Sequence, residues 1–428
     1  MPGVKKPKSI TVRAYNVGFG DCFLLSFNYG SGDQKRVLID FGTLKKPPGD
    51  KNTMEKVIKD IKSSCQKKGT TWIDAVVISH NHRDHISGFK HNLVSDVAVG
   101  LLVKPWTSDP AATSSDKKIM LTPPKRFSPR LYRALKHEEL RNISQFAQNV
   151  LTEAAKPSSF SASARDRLEL FAAMAISENV EESTFKEVKD REYLRYGDKS
   201  KIEKLLPGVI VHVLGPPDVT QVKDILKKTA ETSDEYWLRA GFWRYQALSS
   251  LPLQNQPKLL FRNWNVAAHH ESPKARWFIR RMKSSRADEQ EALLKIANDA
   301  VNNTSIILLF EVGDQKLLFS GDAQLEDWSY SLTKSDAKNL LKKVTLYKVG
   351  HHGSRNATPK SLWNLFENKG SSKSLATILS TLKGTSFGSK EKRTEIPRET
   401  LLRQLQNESK LFDTENLGGG EGKDAYKY

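Results

Sequence analysis

The chain has 428 residues, of which 38 % are hydrophobic and 27 % are charged, so it can bury a sizeable core and is not wholly disordered. No apolar run approaches the length that crosses a bilayer, and the basic N-terminus lacks the apolar centre of a signal peptide. The formal net charge of +19 favours a polyanionic partner or substrate, nucleic acid above all, over the alternative of a merely basic, solvated surface. Cys22 and Cys65 make no disulfide framework, so a reducing cytoplasm is the expected compartment.

The first part of the chain is predicted to consist mainly of strands. Alternating or continuous apolar runs indicate these strands, and glycines such as Gly18 and Gly30 mark the turns between them. One run has helical periodicity instead. We predict strands over Ser9–Tyr15, Cys22–Phe27, Arg36–Ile39 and Trp72–Ser79, and a helix over Met54–Lys67.

Two long polar segments, at about 105–206 and 217–302, interrupt this pattern, and apolar strands follow each of them. The first segment is helix-prone over Leu131–Gln148 and Ala164–Ser177. The later strands are predicted over Val209–Leu214, Ser305–Glu311, Lys316–Phe319, Leu346–Val349 and Ala376–Ser380, the second and third of these as a hairpin.

These elements predict one α/β domain that carries two long, mainly helical insertions. The domain is expected to span 9–415, after a basic tail at 1–8. Residues 416–428 are Gly-rich and polar, and this composition predicts a disordered tail.

The strongest chemical signal follows the strand that ends at Ser79. The sequence His80-Asn81-His82-Arg83-Asp84-His85 places three histidines and a carboxylate on one short loop, although the whole chain has only ten histidines. Imidazole and carboxylate groups are ligands of zinc and similar ions, and a strand end holds such a loop in place. The cluster therefore predicts a metal site.

Two later segments supply further metal-binding side chains in the same way. Asp322 follows one apolar strand in Ser320-Gly321-Asp322, and two histidines follow the next in Gly350-His351-His352-Gly353-Ser354. Taken alone, Asp322 is typical of a turn and the two histidines of a surface loop. Since each group follows a strand, we expect them all to converge at one sheet edge as a dinuclear metal site.

Together these motifs resemble those of metallo-β-lactamase-fold hydrolases, and most closely the metallohydrolase domain of the DNA-uptake protein ComEC. The His80–His85 cluster is specific for the superfamily, whereas the His-His-Gly-Ser segment indicates the subgroup. The resemblance spans about Ile10–Leu405 and leaves both insertions unmatched. The matching segments are Asn16–Cys22, Leu38–Gly42, His80–His85, Asn302–Leu309, Ser320–Asp322 and Lys348–Ser354.

The resemblance implies an αββα sandwich and a metal-dependent hydrolase that uses a metal-bound hydroxide. Its cofactor would be Zn²⁺, as one or two ions, or alternatively Mn²⁺. His80 and His82 would bind one ion; Asp84, His85 and His351 would bind the other, and Asp322 would bridge the two. Asp84, Asp322 and His352 are the implied catalytic residues.

Two residues are expected to lie behind the ligands. Asp40 would accept a hydrogen bond that orients a ligand, although an aspartate that closes a strand is an equally good interpretation. Asn303 is the other implied supporting residue.

The sequence departs from the family pattern at two places. The loop Gly215-Pro216-Pro217 has no counterpart of the histidine that many members contribute to the first metal. His212 lies within a strand and His269-His270 in an insertion, so a packing or surface role is favoured for all three. Ile396-Pro397 stands where ComEC-like domains often have His-Pro, which leaves the general acid unassigned.

The substrate class must come from outside the metal cluster, since one site could attack phosphorus or a carbonyl carbon. The segment Lys274–Arg286 holds six cations and no acid, and Pro123–Arg141 is similarly basic. Within the first segment, Arg276, Arg280 and Lys283 recur at helical spacing, with Trp277 beside them. In this fold both insertions would border the active-site face. Such a stripe suits contact with phosphates, whereas a solvated helix face is the alternative. The candidate nucleic-acid-binding residues are Arg276, Arg280, Arg281 and Lys283.

Three functions remain open at this point. Charge and the ComEC-like pattern favour a phosphodiesterase, specifically a nuclease that binds nucleic acid. A compact pocket would favour a hydrolase of a small ester, lactone or cyclic nucleotide. The missing first-site histidine is the only support for a non-catalytic nucleic-acid-binding protein with a degenerate site.

Overall fold

The computed structural model describes residues 5–112, 129–156, 160–176, 184–218, 221, 273–370, 374–382, 384 and 395–428. For 93, 129–139, 141–142, 273–286 and 296 it gives the path of the backbone without the side chains. This part of the chain forms two sheets and several helices, so the predicted mixed α/β class is confirmed.

Strands from both ends of the chain form the first sheet. They are β1 Ser9–Tyr15, β2 Cys22–Gly30, β3 Asp33–Phe41, β4 Gln66–Lys67, β5 Thr70–Val77, β6 Val97–Pro105, β7 Arg191–Leu194 and β14 Gly422–Lys427. Their order is β14-β1-β2-β3-β5-β6-β7, with β4 paired to β5. The first three strands are antiparallel, whereas β3, β5, β6 and β7 run parallel to one another. Loops after β3 and β5 therefore meet at one edge.

The second sheet comes from the later part of the chain. Its strands are β8 Ile210–Gly215, β9 Ile307–Val312, β10 Gln315–Phe319, β11 Leu346–Lys348, β12 Ala376–Leu379 and β13 Lys410–Asp413, in the order β13-β12-β11-β10-β9-β8. β9 and β10 form the predicted hairpin, while β10 to β13 are parallel. Consequently Asp322 and the histidine pair leave neighbouring strands on the same side.

The described residues also form helices. They are α1 Thr53–Ser64, α2 Arg83–Ile86, α3 Pro129–Ala154, α4 Ala162–Ala175, α5 Ile202–Leu205, α6 Pro273–Asn302, α7 Leu325–Ser331, α8 Ser335–Lys342, α9 Lys360–Trp363 and α10 Glu399–Glu408. Among the described residues, no helix has both the length and the apolar character that a membrane span requires.

The two sheets share one apolar core. Val12 and Leu25 of the first sheet belong to the same buried cluster as Val213 and Phe310 of the second. A separate cluster packs the buried face of α1 onto the first sheet, and a third packs α7 and α8 onto the second. Because both faces of these strands are buried, their sequences are continuous hydrophobic runs rather than alternating patterns.

The prediction of a disordered tail at 416–428 is wrong, because this segment contains β14. β14 pairs antiparallel with β1, and Arg13 Nε donates to Asp424 Oδ1 at 2.9 Å. At Gly422 a Cβ would lie 2.3 Å from the Tyr15 ring, so glycine here permits close packing. An edge strand is held largely by backbone pairing and can be polar, so its amino-acid composition does not distinguish it from a disordered segment.

The chain divides into two compact units, whereas the sequence predicts a single domain with insertions. One unit comprises Met1–Glu138, Ser177–Val222 and Ala300–Tyr428, and the other comprises Glu139–Ile176 and Lys223–Asp299.

The predicted end of the first insertion, at residue 206, lies too far along the chain, because β7 is already part of the first sheet. Within the second unit, Arg167 pairs with Glu291 at 2.7 Å.

Candidate metal centre

The predicted ligands lie on three loops that follow strands. The His80–His85 loop comes after β5, Asp322 comes after β10, and the His351-His352 pair comes after β11. In the second sheet Phe319 lies opposite Lys348 in parallel register, which brings the last two loops together. The ligand loop of the first sheet lies against the loop after β3. A Cβ at Gly42 would be only 2.5 Å from the backbone of Asp84.

Four side chains from these loops form a close group, called here the Asp84 group. His352 Nε2 lies 2.9 Å from Asp84 Oδ2, and His85 Nε2 lies 3.1 Å from Asp322 Oδ2. The distances from Asp84 Oδ2 to His85 Nε2 and from Asp322 Oδ2 to His352 Nε2 are 3.7 and 3.9 Å. Two ligand atoms at about 2.0–2.2 Å from a tetrahedral zinc ion are about 3.3 Å apart, so the group has the size of a zinc site.

His80 and His82 supply a second pair of nitrogen atoms from the same loop. His80 Nε2 and His82 Nδ1 are 3.0 Å apart, and the rings of His80 and His85 have their centroids 4.2 Å apart. Both histidines are buried. The pair therefore lies beside the Asp84 group.

Asp40 orients two of these histidines. Its Oδ2 accepts hydrogen bonds from His85 Nδ1 at 2.8 Å and from Ser79 Oγ at 2.7 Å. Since Ser79 gives its proton to Asp40, it accepts from His80 Nδ1, which is 3.0 Å away. In its neutral form, His85 then carries its lone pair on Nε2, the atom that faces Asp322, whereas His80 Nε2 accepts a hydrogen bond from His82 Nδ1 at 3.0 Å.

The structure places His352, rather than His351, within the Asp84 group. His352, expected to be catalytic, belongs to the Asp84 group, and its Nδ1 donates to the carbonyl oxygen of Ser380 at 3.0 Å. His351, expected to be a ligand, lies at the edge of the group. Its Nε2 is 4.0 Å from Asp322 Oδ2, and its side chain is 10 % exposed.

Backbone strain coincides with the site. His351 and His352 have φ angles of 43° and 52°, and Asp40 has a φ of 55°. Non-glycine residues rarely adopt this left-handed region, and such outliers concentrate at functional sites. Two consecutive left-handed residues turn His352 inward and leave His351 at the edge, which residue spacing alone does not predict.

Lys348 and Asp21 are site residues that motif reasoning did not select. Lys348 ends β11 and is only 2 % exposed. Its Nζ pairs with Asp21 Oδ2 and lies 3.5 Å from Asp322 Oδ1. Both residues lie inside segments that resemble the family. Because an unpaired buried charge is destabilising, a lysine at the end of an apolar strand indicates that a buried carboxylate pairs with it, and this was the signal that sequence reasoning could have used.

Other predicted residues lie elsewhere. Asn303 was expected behind the ligands, but its Nδ2 donates to Glu326 Oε2 at 3.3 Å. His212 packs on the sheet as predicted, with Nε2 2.7 Å from Glu311 Oε2. His269-His270 lies outside the described residues. Helix α6 contains Arg276, Arg280, Arg281 and Lys283, but their side chains also lie outside the described part of the structure.

Burial and mutual charge set the protonation states. Burial lowers the pKa of His82 to about 4 and holds that of His80 well below its usual value. Burial acts the same way on His85, but nearby carboxylates, Asp322 first, outweigh it and raise its pKa. Burial alone would raise the pKa of Asp84 and Asp322, yet His85 and its neighbours lower both. The carboxylates are therefore ionised, which is the form that binds metal.

The donor set fits a divalent cation. Among the described residues, buried atoms of these side chains lack a well-aligned hydrogen-bond partner: His82 Nε2, His85 Nε2, His351 Nε2, Asp84 Oδ1 and Asp322 Oδ2. Asp21, Asp40, Asp84 and Asp322 are each at most 1 % exposed, and the buried Lys348 contacts Asp21 and Asp322. A divalent cation would add to the positive charge that stabilises these buried carboxylates, and mixed nitrogen and oxygen ligands suit zinc or manganese.

Comparisons with known proteins do not identify the chain. No protein-family model matches it, and no curated protein is significantly similar to it. The assignment of function therefore rests on the geometry of the site and on the motifs.

Proposed function

We propose that this chain is a metal-dependent hydrolase with the αββα sandwich of the metallo-β-lactamase fold, and that it cleaves phosphodiester bonds in nucleic acid. The apolar core shared by the two sheets supports this fold, as does the packing of helices on the other face of each sheet. The order of the motifs along the chain agrees with the same family.

One observation carries the proposal, namely the cluster of buried imidazole and carboxylate groups in the Asp84 group. Asp84 Oδ1 in this group and His82 Nε2 beside it are both buried, and neither has a hydrogen-bond partner among the described residues. A purely structural cluster would satisfy such atoms, because an unsatisfied buried polar atom is destabilising. A bound divalent ion satisfies them directly.

The residues that would bind the metal ion are Asp84, His85, Asp322 and His352, with His80 and His82 beside them. When bound, the ion would supply the Lewis acidity that activates water and offsets charge on a phosphoryl group. The protein's own part is orientation. Asp40 holds the ring of His85, and the carbonyl of Ser380 holds the ring of His352, so each presents Nε2 to the site.

Charge near the site supports a phosphodiester substrate. Arg83 lies between two buried residues of the ligand loop, and Arg355 follows Ser354, which contacts His351 at 3.0 Å. Both arginines are exposed, and neither has an ion-pair partner within the described part of the chain. Free guanidinium groups bind phosphate oxygens in bidentate fashion, and the net charge of +19 attracts a polyanion to the same protein.

The burial of the site favours a second candidate, a hydrolase of a small phosphodiester such as a cyclic nucleotide. The ligand side chains are almost fully buried, and the most exposed histidine of the site, His351, has only 10 % of its side chain accessible. Side chains with so little accessible surface are reached more easily by a small substrate or by the end of a single strand than by a duplex.

The test is hydrolysis by the full chain with Zn²⁺ or Mn²⁺ of single- and double-stranded DNA, RNA, a cyclic dinucleotide, a lactone and a chromogenic phosphodiester. The proposal expects cleavage of at least one phosphodiester, and no cleavage by an Asp84→Ala variant. Cleavage of the lactone alone would contradict it. Metal binding without any hydrolysis would favour the non-catalytic function instead.

A further inference from the structure

Lys348 is unusual because a charged ammonium group is buried within a proposed metal centre. It is the last residue of β11, and parallel pairing places it beside Phe319 at the end of β10. From there the chain continues through Gly321 to Asp322. Lys348 Nζ donates to the carbonyl oxygen of Gly321 at 3.1 Å and lies 3.5 Å from Asp322 Oδ1.

The two oxygens of Asp322 have different surroundings. Oδ1 accepts a hydrogen bond from the backbone N–H of His351 at 3.0 Å and faces the ammonium of Lys348. Oδ2 is buried, lacks a well-aligned hydrogen bond and faces the imidazoles, with His85 Nε2 3.1 Å away. The carboxylate is thus fixed so that one oxygen binds protein and the other points into the Asp84 group.

Asp21 ties Lys348 to the opposite side of the site. Its Oδ2 pairs with Lys348 Nζ, and its backbone N–H donates to the carbonyl oxygen of Asp84 at 3.0 Å. Its Oδ1 lies 3.7 Å from His352 Nδ1. One buried ion pair therefore touches residues on all three ligand loops.

We propose that Lys348 is a positioning residue that keeps Asp322 a one-oxygen ligand, offering Oδ2 alone to the metal, with Asp21 as its anchor. This inference rests on the proposed function. Without the ammonium, only the backbone N–H of His351 holds Oδ1, so Asp322 can rotate and offer both oxygens to the metal. The expected result is weaker metal binding and a changed coordination number, although Lys348 itself touches no metal.

The test measures the affinity of the full chain for Zn²⁺ by competition with a chromogenic chelator. Lys348→Met should weaken binding about 10–100-fold, the range observed when outer partners of metal ligands are removed. The matched control is Lys316→Met, which removes another buried lysine from β10, where it pairs with Glu311 away from the site. This control should bind Zn²⁺ as the wild type does.

A double variant excludes a simple folding defect. Lys348→Met with Asp21→Asn removes both charges, so no unpaired charge is buried and the fold is expected to persist. Its Zn²⁺ affinity should remain about 10-fold or more below the wild type, and a Co²⁺-loaded sample should show weaker visible absorption as the coordination number rises. A folded double variant with wild-type affinity and absorption would overturn the role of Lys348. A wild-type chain that binds no metal would instead overturn the proposed function.

Discussion

His352 Nε2 lies 2.9 Å from Asp84 Oδ2, although the two residues are 268 positions apart in the sequence. The contact joins the ligand loop after β5, in the first sheet, to the loop after β11, in the second. Because the two sheets share one core, their strand ends meet, and each sheet supplies half of the Asp84 group. Metal affinity should consequently depend on side chains from both sheets.

The histidine pair gives a direct test of this arrangement. His352→Ala should reduce Zn²⁺ affinity by about 100-fold or more, because it removes one of the four proposed ligands rather than a supporting contact. His351→Ala should reduce affinity less, since His351 lies at the edge of the group. Chelator competition with both purified variants measures the difference. A larger loss for His351→Ala would restore the ligand assignment that the sequence predicts.

Close packing behind the ligand loop gives the second prediction. In Gly42→Ala the new Cβ would lie 2.5 Å from the backbone at Asp84 and Ile86, so the ligand loop must shift. The variant should lose about 1–3 kcal/mol of stability, as overpacked cores do, and its Zn²⁺ affinity should fall.

Gly32→Ala is the matched control for this change. Gly32 has a φ of 77° but open space around a Cβ, so the substitution strains the backbone without touching the site. It should lower the melting temperature and leave Zn²⁺ affinity unchanged. Equal metal affinity in the two glycine variants would show that the packing at Gly42 does not position the ligands.

The His212–Glu311 contact predicts a pH effect outside the metal centre. Burial raises the pKa of Glu311, but hydrogen bonds from Lys316 and His212 outweigh it and lower the pKa below 4.5. A carboxyl whose pKa is lower in the folded state stabilises the fold at pH values above its pKa in the unfolded chain. This stabilisation is lost as the pH falls through the pKa of the folded state. Glu311→Gln should therefore cost about 1 kcal/mol at pH 7, with the difference shrinking at pH values below 4.5.

His212→Ala tests the same contact from the other partner. It should destabilise the chain in urea unfolding while leaving the bound metal unchanged, because His212 contacts Glu311 and not the Asp84 group. Loss of a metal equivalent in this variant would place His212 among the ligands.

The basic segment Lys274–Arg286 gives a prediction about substrate. Reversing Arg276, Arg280 and Lys283 to Glu should weaken nucleic-acid binding and flatten its dependence on salt, because fewer counterions are released. Hydrolysis of a small chromogenic phosphodiester should stay the same, since that substrate needs only the metal centre. Unchanged affinity and salt slope, measured by fluorescence anisotropy, would make this segment a solvated helix face.

Much of the scaffold is predictable from the sequence because local pattern determines it. The strand over Ser9–Tyr15 has the predicted bounds, and the hairpin of β9 and β10 follows from two apolar runs around a short turn. β14 is not predictable in this way, since its stability comes from pairing with β1 at the far end of the chain.

The site is predictable in composition but not in detail. Ligand spacing at strand ends points to the His80–His85 loop and to Asp322. The inward turn of His352 depends on two left-handed φ angles, and the role of Lys348 depends on a contact with Asp21 made only after folding. Neither relationship leaves a periodic signal in the sequence.

The central claim is that the Asp84 group binds a catalytic divalent ion, and the most direct measurement is the metal content of the purified full chain together with its phosphodiesterase activity. The account predicts one to two equivalents of Zn²⁺ or Mn²⁺ per chain, with activity abolished by a chelator and restored when the metal is returned. In Asp84→Ala both the metal and the activity should be lost. Phosphodiesterase activity that survives complete removal of metal, or a wild-type chain that binds no divalent ion, would contradict the account.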